Sequence, residues 1–154
     1  MRKTAVITID SPNRDQGKIF HLEEMDAWSA EEWATRVFFA IMNAGADIPD
    51  EVADMGFTGL FLLSSGALMK AAFKGLSMVP VERAKPILDD LMKCVKLQPD
   101  PNSQYTRVPN MAGDIEEVST LLKLKKEVWK LHFDFFTAGG GLTSGSSQDP
   151  TITA

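Results

Sequence analysis

The sequence predicts a mainly α fold: a small helical domain with a short N-terminal β-hairpin and a disordered Gly/Ser-rich C-terminal tail. Three observations predict it. Asp114 to Phe136, DIEEVSTLLKLKKEVWKLHFDFF, places apolar residues at helical spacing, and a second such pattern runs from Ser29 to Gly45. Past Phe136 the composition turns to TAGGGLTSGSSQDPTITA, which buries too little apolar area to offset its ordering entropy. The domain is expected over residues 1–137 and the flexible tail over 138–154.

In chain order, Thr4 to Ile9 (TAVITI) is β-branched, and Lys18 to Leu22 (KIFHL) reads as a second strand after the turn-rich Ser11 to Gly17. Two strands alone are marginal in water, so the hairpin is expected to pack on helices or on a partner's edge. Ser29 and Glu32 form a capping-box pattern for a helix that stops at Gly45, with Trp33, Val37, Ile41 and Ala44 on its inward side and Phe38 and Met42 beside them.

Asp50 or Asp54 then opens a largely apolar region reaching Leu76, whose glycines and serines allow close helix approach. After a connection over Ser77 to Lys85, Pro86 is expected in the first turn of a helix, PILDDLMKCVKL. Gln98 to Gly113 is a proline-bearing loop. The last helix is expected to be capped by Asp114, with Glu117 three residues on. Its main stripe is Val118, Leu121, Leu124, Val128, Leu131 and Phe135, widened by Ile115, Leu122, Trp129 and Phe136. So broad an apolar face must be covered by this chain or by a partner.

Composition narrows the function. With 154 residues, 44% hydrophobic and 24% charged, the chain suits one soluble domain. A net charge of -5 argues against nucleic acid as the main partner. The longest uncharged run, Met55 to Met69, is too short to span a membrane. Cys94 is alone, so no internal disulfide forms, and no secretory pattern opens the sequence; a reducing cytoplasm is expected.

Signals for chemistry are weak. His21 and His132 lie far apart and only one cysteine is present, so no metal site and no cofactor is expected. His132 and Cys94 read as packed structural residues. The acid pairs Glu23-Glu24, Glu31-Glu32, Asp89-Asp90 and Glu116-Glu117 read as solvated or helix-start residues, because neighbours on a helix diverge. Lys123, Lys125, Lys126 and Lys130 read as a solvated face. No phosphate-binding glycine motif occurs, and no enzyme is expected.

Several separated segments together carry a family likeness. RDQGKIFHLEEMDAWSAEEWATR (Arg14 to Arg36), the glycine-bearing middle region, PILDDLMKCV (Pro86 to Val95) and the final helical segment resemble tail assembly chaperones of long-tailed bacteriophages and prophages. The likeness spans Thr4 to Phe136 and leaves out the tail. It implies a helical protein of the host cytoplasm that binds the tape measure protein and keeps it soluble. It also implies recruitment of tail tube protein, in related phages often with a frameshifted longer product, and absence from the mature virion. Self-association fits the same role. The residues expected to meet the tape measure or sister subunits are Phe57, Leu60, Phe61, Trp129, Phe135 and Phe136. The alternative is a small structural or adaptor protein that stays in the particle, at the head–tail joint or in the tail.

Overall fold

The computed structural model describes residues 1–45, 50, 54 and 74–138, with side chains described through His132. Within them the chain forms β1 (Thr4–Thr8), β2 (Ile19–Glu23), α1 (Ala27–Asn43), α2 (Val81–Asp90), a 3-10 turn (Leu91–Cys94), β3 (Val95–Gln98) and α3 (Val118–Ala138). The mainly α expectation therefore gives way to a mixed α/β domain. The expected middle helix over 51–73 and the tail from 139 onward lie outside the described residues, although Asp50, Asp54 and residues 74–76 are helical.

The hairpin forms as expected, with Ala5 opposite Leu22 and Ile7 opposite Phe20. Gly17 closes its loop at φ +82°, a conformation that suits glycine, and its N–H donates to the Ile9 carbonyl (2.8 Å). The strands alternate: Phe20 and Leu22 face the core while Ile19, His21 and Glu23 are half-exposed.

What stabilises the hairpin is a third strand. The segment read as the end of a helix leaves helical geometry after Cys94, and Val95–Gln98 pairs antiparallel with β2 in the order β1-β2-β3. Val95 fits both periodicities, but Leu97 fits only the alternation of a strand, and both are buried with Lys96 turned outward. The outer side of β3 is partly occupied by an isolated bridge from Leu97 to Arg107.

Helix limits shift in ways the local chemistry explains. Asp26, not Ser29, caps α1: its carboxylate accepts the Ser29 N–H (2.9 Å) and hydroxyl (2.8 Å). Gly45, at φ +74°, ends α1 as expected. α2 begins five residues before Pro86, after the extended Pro80, so Pro86 sits inside the helix rather than in its first turn. The missing N–H leaves only the Glu82 carbonyl, near the helix start, without its usual donor.

One core unites the elements. Trp33, Val37 and Ile41 of α1 meet Phe20 and Leu22 of β2, Val95 and Leu97 of β3, Ile87 of α2, and Leu124, Val128 and Trp129 of α3. The Trp33 indole N–H donates to the Ile87 carbonyl (2.9 Å), fixing α1 on α2. Gly75 allows the chain to pass against α1, since a Cβ there would lie 2.5 Å from Ile41 Cγ2.

Candidate functional site

On α3 the main stripe faces inward as the spacing predicts: Leu124 and Val128 are buried, and Leu121 and Leu131 pack partly buried against the core. Thr120, Leu124, Val128 and His132 form the buried line, with Trp129 beside it at 2% exposure. Val118 (72% exposed) and Leu122 (60%) turn outward instead. Trp129, expected at a partner-facing edge, packs edge-on against Trp33 with ring centroids 5.3 Å apart and planes at 81°. The edge that widens the main stripe divides: Trp129 turns inward while Leu122 stays exposed, and His132 is packed, as its surroundings in the sequence suggest. Phe135 and Phe136 lie within α3 but their side chains fall outside the described residues, as do Phe57, Leu60 and Phe61 entirely.

His132 belongs to this buried cluster, its ring 5.9 Å from Trp33. Its Nδ1 lies 2.8 Å from the Val128 carbonyl, and its Nε2 accepts the Met25 N–H at 3.0 Å. That pairing requires the neutral ring with its proton on Nδ1. Burial lowers the pKa, outweighing the Val128 carbonyl and the nearby Glu24 charge, which both raise it.

The start of α3 is held from across the chain. Asp15, fully buried in the hairpin loop, accepts the Glu116 N–H (3.0 Å) and the Glu117 N–H (2.9 Å). The Glu117 carbonyl accepts the N–H of Leu121, so the cap expected from Asp114 comes from Asp15. Asp114 is instead gripped by both outer nitrogens of Arg107 (2.6 and 2.9 Å). Lys18 bridges Asp15 (2.7 Å) to the Asp114 carbonyl (2.9 Å), and Arg14 binds Glu117 (2.7 Å). Burial pushes the Asp15 carboxyl up, but Lys18, the two N–H groups and the Thr120 hydroxyl together hold it at about 2.

A cleft of about 310 Å³ opens between β2, α1 and the 3-10 turn, and Cys94 lines it. Its charges neutralise one another: Arg2 on Glu23 (3.2 Å), Arg36 on Asp90 (2.7 Å) and Lys93 on Asp90 (2.7 Å). Burial pushes the Cys94 thiol to about 11, so it is protonated and a poor nucleophile. Asp89 is engaged with Lys125 (2.7 Å), and Lys123 with Asp10 (3.0 Å), so part of the expected solvated lysine face ties α3 to its neighbours. Among the described residues no group of three or more His, Cys, Asp or Glu is placed to hold a metal ion.

The surface that stands out is apolar and lies on α1. Trp28 is 80% exposed, Phe39 57% and Met42 39%. At 3.6 residues per turn these three fall within about 60° around the helix, opposite the buried Trp33, Val37 and Ile41. Spacing places Trp33, Val37 and Ile41 inward as observed, but Met42, expected beside them, lies on the outer side. The chain matches no protein-family model, no curated protein and no solved structure. Among the described residues no helix is long and apolar enough to cross a membrane.

Proposed function

We propose that the chain is a phage tail assembly chaperone that binds the tape measure protein in the host cytoplasm and keeps it soluble until tail tube subunits take its place. The observation that carries this reading is the stripe of Trp28, Phe39 and Met42, three large apolar side chains left in water on one face of α1. An exposed apolar face of this kind suits an amphipathic helix laid against it. The net charge of -5 supplies the solubility that a coated apolar partner lacks. Phe57, Leu60, Phe61, Phe135 and Phe136 extend the proposed contact set, and Trp129, buried against Trp33, leaves it.

The test is co-expression with the adjacent long helical gene product. Wild-type chain should keep that product in the soluble fraction, and the double substitution Trp28→Asp, Phe39→Asp should release it to the pellet while leaving circular dichroism and melting unchanged. Full solubilisation by the double variant would remove α1 from the contact. Mass spectrometry of purified virions separates the chaperone from a resident adaptor, which would be found in the particle.

A further inference from the structure

The outer edge of β1 has the features of a self-pairing strand. β1 lies at the end of the sheet, and among the described residues no strand pairs with its far side. Which backbone groups point there is fixed by the inner side. Lys3 pairs with Glu24 through the Glu24 N–H to the Lys3 carbonyl (3.0 Å), and Ile9 with Lys18 through the Ile9 N–H (3.0 Å). Odd-numbered residues therefore bond to β2, and Thr4, Val6 and Thr8 direct their N–H and C=O groups outward. All three are exposed, Val6 at 59%. Thr4–Thr8 holds no charge and no proline, the side chains that most often guard an edge.

We infer that a second copy of this chain pairs antiparallel along β1, with Val6 facing Val6 of the other copy across a two-fold axis. That register joins like-directed backbone groups throughout: Thr4 meets Thr8, Val6 meets Val6, and Thr8 meets Thr4. It sets Arg2 of each copy opposite Asp10 of the other, so that each joins an ion pair already made within its copy, with Glu23 and Lys123 respectively, and it opposes no like charges. Ala5 faces Ile7 on the core side, where both are already partly buried, so the apolar face continues across the junction. Sliding the strands by two residues in either direction loses the Arg2–Asp10 match and both Thr–Thr pairs. The two sheets then form one six-stranded sheet, and the exposed edge is removed. This inference does not depend on the chaperone reading.

The test is light scattering and sedimentation on the full chain over a wide concentration range, with cysteine cross-linking to read the register. Wild type should show a dimer of twice 16.9 kDa. Val6→Pro removes an outward N–H at an edge position, where proline is tolerated; it should be monomeric, with unchanged circular dichroism. Under mild oxidation Val6→Cys should cross-link to itself, because facing hydrogen-bonded residues lie about 5.5 Å apart, within disulfide reach. Thr8→Cys should not cross-link, since it faces Thr4. A wild-type monomer at several hundred micromolar overturns the inference, as does a dimer that a folded Val6→Pro leaves intact. If Val6→Pro fails to fold, cross-linking decides alone: equal yields from the two cysteine variants, or none from Val6→Cys, overturn it.

Discussion

Met25 and His132 are joined by a hydrogen bond in which a backbone N–H between β2 and α1 donates to a ring nitrogen on α3, at 3.0 Å. Protonating Nε2 would replace that acceptor with a second donor, inside a core that also holds Trp33 and Trp129. The folded state therefore disfavours the imidazolium.

The first prediction concerns pH. Because burial lowers the His132 pKa below 6.5, the unfolded chain binds the extra proton first. The stability supplied by the neutral ring is complete above pH 6.5 and falls as pH drops below it. Thermal melts should show this decline in wild type and lack it in His132→Gln, whose baseline stability is lower by about 1–3 kcal/mol for the buried groups left unpaired. A wild-type midpoint flat between pH 7 and 5 would remove His132 from this role.

Asp15 supplies a second, separate window. Its carboxyl is held at about 2 against an ordinary 3.8, so its contribution is present above pH 3.8 and disappears as pH falls toward 2. Asp15→Ala at neutral pH should cost about 2–4 kcal/mol, since it strips a buried partner from Lys18 and from the N–H groups of Glu116 and Glu117. Denaturant titration reads the loss, and hydrogen exchange should show it concentrated in the first turn of α3.

Gly75→Ala is expected to destabilise by about 1–3 kcal/mol, through overpacking against the stiff Ile41 side chain. Combining it with Ile41→Leu, which moves the branch away from Cβ, should recover part of the loss. Additive costs in the double variant would show that the two positions do not touch.

The two classes of tryptophan should separate cleanly. Trp129→Ala empties the centre of the core and should cost about 3–5 kcal/mol. Trp28→Ala, at 80% exposure, should change stability by no more than about 0.5 kcal/mol. Urea midpoints of the two variants make the comparison.

Cys94 should resist a thiol reagent at pH 8 in the native chain and react once the chain is unfolded, since burial both shields it and raises its pKa. Rapid labelling of native protein would mean that the cleft opens to the sulfur.

What spacing and punctuation carry was readable in the sequence. α1 follows from Trp33, Val37, Ile41 and the stop at Gly45, and the hairpin from its β-branched run and turn residues. What escaped was whatever depends on a distant partner. Val95 satisfies helical and strand periodicities alike, Leu97 fits only the strand, and the free side of β2 gives that strand its partner. His132 is legible as a packed residue, but its partner, the Met25 N–H 107 residues away, is not. Exposure of Trp28 and Phe39 follows from how α1 docks, which its own residues leave open. Cys94 was legible as a packed residue, while the ion pairs around the cleft tie α1 and the 3-10 turn to Asp90 of α2, and Arg2 to β2.

The Asp15 cap also sets an order of events in folding. The carboxylate sits 101 residues before the Glu116 N–H it accepts, and 102 before that of Glu117. During synthesis the hairpin loop emerges early and must wait, charged and uncovered, for the last helix to arrive. α3 in turn lacks a cap of its own until that loop is in place. Such distant pairing favours slow, cooperative completion, so a chain cut before Glu116 would leave the hairpin loop without its partner, and the first and last elements of the domain should fold as one unit.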